Sequence, residues 1–180
     1  MSWIDQVKAA LPDYAKDTKL NVDAVINRST LDREEAEGCA LAAAAATGNG
    51  KIVGLIMAHM EQPGPDGLGA GLNTEAIAAL TAASLMAMTN VYYPFQEMAA
   101  DENLTGLPPQ LRMNAIATHG GTTKARFESY SLAASIVGKC HFCVKAHYDT
   151  LRKEGYTVEQ LRDIGRIAAV MTSVCKVLVG

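Results

Sequence analysis

The chain is short of most features that advertise a partner. Aromatic residues are few, with one Trp, three Phe and six Tyr in 180 residues. Positive charge is not in excess: 16 Lys and Arg stand against 19 Asp and Glu, for a net charge of −3. No basic cluster is present to follow a phosphate backbone, so nucleic acid is not an expected partner. No apolar run approaches the roughly 18 residues that a membrane span requires, so no membrane association is expected. The opening "MSWIDQVKAALPDYAKD" carries charges every few residues and lacks the apolar core of a secretory signal. A cytoplasmic protein is expected, in a compartment where thiols stay reduced. Strand-type alternation of β-branched and aromatic residues is missing as well. Without strands there is no place for a strand-to-helix phosphate loop, which argues against nucleotide and flavin-dinucleotide sites of Rossmann type.

What remains is rich in Ala, Leu, Met and Glu, and predicts an all-α protein with a single domain over residues 1–180. A first helix fits Ser2 to about Tyr14 and a second fits Asn21 to Arg28. A third starts at Asp32, where Asp32-x-x-Glu35 has the form of a capping box, and stops at "TGNG", residues 47–50. A fourth, "KIVGLIMAHM", precedes the loop "QPGPDGLGAG" at 62–71. Asn73 caps a long helix ending at or before Pro94. After Pro108-Pro109 comes a short helix, then one from about Thr123 that stops at Gly138. Cys140 opens the next, which ends at Gly155. Thr157-x-x-Gln160 is a second capping box and starts the last helix, to about Val177.

The two halves resemble each other. Placing Glu37 on Glu128 sets "LAAAAATGN" over "LAASIVGKC", and Asn73-Thr74-Glu75 falls on Thr157-Val158-Glu159. An internal duplication is expected, with pseudo-repeats at about 30–95 and about 121–178. Asn49, Ile52 and Ile56 then stand where the second copy has Cys140, Cys143 and His147.

The stretch "GKCHFCVKAHYDTL", 138–151, holds two of four cysteines and two of four histidines. In Cys140-x-x-Cys143-x-x-x-His147 the spacings put all three side chains on one helical face. A helix amino terminus carries partial positive charge, which favours thiolate in its first turn. His147, one turn beyond Cys143, can exchange a proton with it. Glu128 lies in the preceding helix among small and apolar residues, where desolvation would raise its pKa toward the range useful for proton transfer. At 180 residues the chain buries a core without staples, so a close Cys pair is expected to be catalytic or metal-binding rather than structural.

Zinc is the competing arrangement, with His147 and one of His141 or Glu128 completing four ligands; structural zinc ordinarily joins two separated ligand pairs, and only one is present. A structural disulfide across so short a loop removes little chain entropy. Cys39 and Cys175 are expected as packed hydrophobes. His59 and His119 adjoin loops and are expected at the surface or as caps. Glu37 is expected as an exposed helix residue. The methionines at 86, 88, 98, 113 and 171 are expected in core or subunit contacts, and "VYYPF", 91–95, in core packing, with an oligomer interface as second choice.

Glu128 followed by Cys140-x-x-Cys143-x-x-x-His147, on an all-helical duplicated chain, resembles the alkylhydroperoxidase D (AhpD) family of the carboxymuconolactone decarboxylase-like superfamily. The twelve-residue separation of Glu128 from Cys140 makes the likeness specific, and a thioredoxin would need its C-x-x-C after a strand. Relatives often carry His immediately before the second cysteine, where this chain has Phe142; His141 is therefore given no catalytic role. The resemblance implies an antioxidant thiol enzyme with alkyl hydroperoxidase activity and no bound cofactor or metal. By the same resemblance it would reduce a partner peroxiredoxin of the alkyl hydroperoxide reductase C type. Electrons would come from the dihydrolipoamide of a lipoylated 2-oxoacid dehydrogenase component and its dihydrolipoamide dehydrogenase, and the assembly would be a homotrimer. Carried over by position, Cys143 is the nucleophile and sulfenic acid intermediate, and Cys140 the proton donor and resolving thiol that closes a disulfide with it. Glu128 and His147 form the proton relay. Two other activities fit the residues. One is a decarboxylase or isomerase using His147 and Glu128; the other is a general protein disulfide reductase.

Overall fold

A computed structural model of the chain describes residues 1–63 and 70–179. Helix α1 (Trp3–Ala10) is closed by a capping box in which Ser2 Oγ accepts from the Asp5 N–H and the Asp5 carboxylate accepts from the Ser2 N–H, each at 3.1 Å. It ends four residues short of the expected Tyr14, because Pro12 holds Leu11 in extended backbone. A 3-10 turn over Asp13–Ala15 feeds directly into α2 (Lys16–Asn27), which therefore begins before the expected Asn21 and needs no capping side chain of its own.

Helix α3 (Arg33–Thr47) is capped by Asp32, which accepts from the Glu35 N–H at 3.0 Å. The expected box is only half formed, since the Glu35 carboxylate accepts instead from Tyr156 Oη at 2.6 Å. Gly48, at φ 79°, ends the helix in the left-handed region that glycine favours. Helix α4 (Gly50–His59) is capped by Asn49. A short antiparallel ribbon follows, β1 (Glu61–Pro63) against β2 (Ala70–Leu72), where the sequence predicts only a loop; residues 64–69 of that loop lie outside the described residues.

Asn73 caps α5 (Thr74–Ala99), which runs straight through Pro94 instead of stopping there. Proline in a helix interior removes one hydrogen bond and costs ~3 kcal/mol. Contacts on either side of it offset that loss: Tyr93 packs on Phe142 with ring centroids 4.4 Å apart, and Gln96 Nε2 donates to the Leu104 carbonyl at 3.2 Å. An 18-residue window of α5 reaches a mean hydropathy of 1.3, so one helix among the described residues is long and apolar enough to cross a membrane, contrary to expectation. In this fold α5 packs against α3, α7 and α8.

The sequence does not predict the single turn α6 (Glu102–Thr105). The short helix expected after Pro108-Pro109 is a 3-10 segment, Asn114–Gly121, broken by left-handed His119 and Gly120. Helix α7 (Lys124–Gly138), capped by Thr123, ends at the expected Gly138 and reverses at Lys139, φ 55°. Helix α8 (His141–Lys153) folds back on α7, and α9 (Val158–Val177) opens with the complete Thr157/Gln160 capping box.

Helices α3 and α7 form the centre, and α5 and α9 each pack on both. The facing stretches Ala40–Ala44 and Leu132–Ala134 are buried almost completely. Small side chains let these backbones approach closely, which is how a chain with few aromatics closes its core. Leu41, Ile52, Ile56, Ile164, Ile167 and Met171 fill the remainder. The expected core role for "VYYPF" does not hold: Val91 is 70 % and Phe95 49 % exposed. The methionines divide. Met86 and Met171 are buried, Met113 packs on the core's edge, and Met88 and Met98 are exposed.

Candidate active site

The turn at Gly138-Lys139 is tight because Gly138 touches α5: a Cβ there would lie 2.2 Å from Asn90 Nδ2. The reversal brings Cys140 onto the amino terminus of α8, where its Sγ accepts from the Cys143 N–H at 3.2 Å. Cys140 and Cys143 are joined by a disulfide, with Cα atoms 5.2 Å apart. Both are buried, at 0 % and 3 % exposure, with Cys143 the one that solvent reaches. Cys140 Sγ lies 3.9 Å from the Thr89 carbonyl of α5, an acceptor for its proton once the pair is reduced.

One turn further on, His147 Nδ1 and Glu128 Oε2 are 2.6 Å apart, both half-buried. Glu128 does turn toward α8, a point that sequence alone left open. Its carboxylate fixes the imidazole's orientation, and His147 Nε2 faces Met86 Sδ of α5 at 3.1 Å. Cys140, Cys143, His147 and Glu128 thus meet where α5, α7 and α8 converge. His141 does not join them: it is exposed and pairs with Glu97 Oε1 at 3.0 Å on the rim. The zinc arrangement is not assembled here, since the cysteines are bonded to each other, His147 is held by Glu128 and His141 points elsewhere.

Phe142, 58 % exposed, leans on Tyr93 at the edge of a groove of about 590 Å³ that Gln96, Leu107 and Pro109 also line. Sequence reasoning missed every contribution of α5 to the site: Met86, Thr89 and Tyr93. It also passed over Ser131 and Ser135, although their spacing of three and seven from Glu128 places them on the same side of α7.

A second polar cluster lies at the other end of α7. Tyr130 Oη donates to Glu75, and Arg126 bridges Glu75 at 3.1 Å, Glu34 at 2.8 Å and Asp32 at 2.7 Å. Burial, then the bond to Glu75, pushes the Tyr130 hydroxyl far above its ordinary range. Cys39 is fully buried beside Ser129, and burial raises its thiol well above normal; burial also raises Cys175. Both are the packed hydrophobes expected. Glu37 corrects its expectation: it is buried at 7 % exposure and accepts from Trp3 Nε1 at 3.2 Å and Arg33 Nε at 2.6 Å, with His59 Nε2 at 3.2 Å. His59 is therefore tied to a buried carboxylate at a helix end, and His119 packs beside Phe127.

These geometries define a helical thiol protein whose dithiol sits at a helix mouth beside a carboxylate–imidazole pair. A sequence model of the carboxymuconolactone decarboxylase family matches residues 104–179, the segment that carries all four groups. Over nearly its whole length the chain is 40% identical to the alkyl hydroperoxide reductase AhpD of Coxiella burnetii, covering 94% of this chain and 93% of the relative. It is 39% identical to that of Maricaulis maris (97% and 96%) and 38% identical to that of an Anaeromyxobacter species (95% and 88%). The chain belongs to the AhpD family within the carboxymuconolactone decarboxylase-like superfamily.

Proposed function

We propose that this protein is a peroxidase-type oxidoreductase, an alkyl hydroperoxide reductase that works through the Cys140/Cys143 dithiol. The observation that carries the reading is the placement of a buried, bonded cysteine pair at the start of α8 with the Glu128–His147 pair one turn along. In the reduced enzyme the Cys143 thiolate attacks the O–O bond of an organic hydroperoxide. The bond breaks, Cys143 becomes a sulfenic acid, and the departing alkoxide takes a proton to leave as an alcohol. Cys140, held against the Thr89 carbonyl, supplies that proton, and Glu128 and His147 return one to the site. Cys140 sulfur then attacks the sulfenic sulfur, releasing water and forming the disulfide. An external dithiol opens it by thiol–disulfide exchange and is itself oxidised.

The names of the relatives support this activity. The groove beside Phe142 suits the organic part of the substrate. In the same reading the external dithiol is dihydrolipoamide, carried by a 2-oxoacid dehydrogenase component and recharged by dihydrolipoamide dehydrogenase. The electrons pass on to a peroxiredoxin of the alkyl hydroperoxide reductase C type. A cytoplasmic homotrimer serving the oxidative stress response completes the proposal, and the exposed Val91 and Phe95 offer apolar surface for subunit contact.

The test is intact mass and free-thiol count of reduced protein before and after one equivalent of an organic hydroperoxide, in wild type and Cys143→Ser. Loss of two thiols in wild type, reversed by dihydrolipoamide and absent in the variant, is the expected result. No thiol loss in wild type overturns the enzyme reading.

A further inference from the structure

Among the described residues three buried side-chain polar atoms lack any hydrogen-bond partner: Asn90 Oδ1, Ser131 Oγ and Ser135 Oγ. All three belong to the helices that enclose the disulfide. Burying a hydroxyl without a partner is unfavourable, so a group left in that condition calls for a physical account. Serine in a helix ordinarily turns its hydroxyl onto a carbonyl three or four residues back, as Ser129 does on the Arg126 carbonyl at 2.7 Å. Ser131 and Ser135, both 0 % exposed, do not.

Two contacts set the register of the α7–α8 hairpin: Glu128 against His147, and the Ser135 carbonyl accepting from the Cys140 N–H at 3.3 Å. Each step back along α7 is matched by one step forward along α8. Ser131 therefore stands level with Val144, beside Cys143, and Ser135 stands level with Cys140. Around α7, Glu128 faces α8 and Gly138 faces Asn90 of α5. At 100° per residue Ser131 falls between those two directions, toward the junction that holds the disulfide.

We propose that Ser131 is a positioning residue for the sulfur chemistry, its hydroxyl left without a partner in the disulfide form and donating to Cys143 Sγ when the pair is reduced. The inference rests on the reading of Cys140 and Cys143 as a working dithiol. Breaking the S–S bond frees Cys143 Sγ to rotate about its Cα–Cβ bond and gives it lone pairs or charge to accept the hydroxyl proton. The hydrogen bond favours thiolate before attack, and the sulfenate oxygen can take the same donor afterwards. The titratable groups at this junction are Glu128 from α7, which pairs with His147, and Cys140, Cys143 and His147 from α8; α5 contributes the uncharged Met86 beside His147 and Thr89 beside Cys140, with Glu97 engaged by His141 on the rim.

The experiment uses full-length protein in a Cys140→Ser background, so that Cys143 is the one thiol of the pair. Cys39 and Cys175 are buried with raised pKa values and stay silent near neutral pH. The rate of Cys143 alkylation by iodoacetamide is followed from pH 5 to 9 in three proteins: the one that keeps Ser131, and those that add Ser131→Ala or Ser131→Thr. The expected result is an alkylation profile displaced to higher pH in Ser131→Ala, with a rate about tenfold lower at pH 7, the equivalent of one hydrogen bond to a charged group. Ser131→Thr, which keeps the hydroxyl, restores the profile of the protein that keeps Ser131. An unchanged profile in folded Ser131→Ala, or a shift that Ser131→Thr shares, overturns the proposal. The readout does not require peroxide turnover. A wild type inert to hydroperoxide would refute the enzyme reading while these profiles still decide the role of Ser131.

Discussion

Replacing Gly138 by alanine tests how the scaffold holds the dithiol in place. The added Cβ would lie 2.2 Å from Asn90 Nδ2, 2.4 Å from its Cγ and 2.7 Å from its Cβ. The last of these is not the free end of a flexible side chain, so rotation of Asn90 alone cannot relieve the clash, and α5 and α7 must separate. Overpacking of this kind costs ~1–3 kcal/mol. Displacing the amide also breaks its bond from Asn90 Nδ2 to the Ala134 carbonyl, 3.1 Å, worth ~1 kcal/mol. Alanine recovers up to about 1 kcal/mol in helix propensity, less at a terminal position. The net expectation is a loss of about 2 kcal/mol, which lowers Tm by about 4–8 °C for a chain of this size. Thermal unfolding at fixed protein concentration reads the effect. Asn90→Ala combined with Gly138→Ala should be less destabilising than the sum of the two by roughly 1 kcal/mol, because truncation removes two of the three clashing atoms. Since Thr89 follows the same backbone, the reduced enzyme should also lose peroxide turnover. A Gly138→Ala protein as stable as wild type would refute the account of why α7 and α8 turn where they do.

Glu128→Gln and His147→Gln should each lower peroxide turnover by roughly a hundredfold in steady-state assays while the dithiol still forms its disulfide, as loss of proton assistance predicts; unchanged rates in both would remove the relay. In native protein only Cys140 and Cys143 should react with iodoacetamide after reduction, because a helix amino terminus favours thiolate there while burial raises the thiol pKa values of Cys39 and Cys175, and mass spectrometry should count four adducts only once the chain is unfolded. Asp163 sets an acid limb on stability. Burial alone would raise its pKa, but bonds from the Thr30 N–H at 2.9 Å and Arg166 at 3.0 Å hold it below the usual carboxylate range. A lowered folded-state pKa gives stability that is present above the unfolded value of about 3.9 and disappears as pH falls through the folded one. Asp163→Asn should therefore lose about 1–3 kcal/mol at pH 7 in denaturant titrations and flatten the dependence on pH below about 4.

The helix starts were legible because capping is local chemistry: Asp32, Asn73, Thr123 and Thr157 are each written into the sequence beside the N–H they satisfy. The failures have tertiary causes. Pro94 reads as a stop, yet α5 continues because Tyr93 and Gln96 find partners on α8 and α6. Glu35 forms half a box because Tyr156, 121 residues away, claims its carboxylate. Glu37 looks like a surface residue until Trp3 and Arg33 close over it. In the site, the groups on α7 and α8 were readable, since a helical hairpin keeps them within twenty residues at helical spacing. The α5 groups were not, because no local pattern ties Met86 or Thr89 to a cysteine more than fifty positions away.

Under the proposed function, Cys140 needs little beyond an ordinary helix cap to take part in the chemistry. Asn49 and Cys140 each open the second helix of a three-helix run, and each side chain accepts from the N–H three residues on, Ile52 at 3.1 Å and Cys143 at 3.2 Å. In the first run the amide's remaining donors bind the Cys175 and Leu178 carbonyls at the end of α9, so the cap secures the carboxy-terminal helix. In the second run a cysteine sulfur performs the capping, and its disulfide partner three residues on replaces the fully buried Ile52 with a sulfur that solvent just reaches. A cap must accept hydrogen bonds from free N–H groups, and that same requirement favours negative charge on sulfur. The cysteine pair therefore needs no added structure to become reactive. What distinguishes the second run is the neighbouring acid–base pair, Glu128 and His147, where the first run sets Ile56 at the matching helix position and leaves Glu37 bound to Trp3 and Arg33.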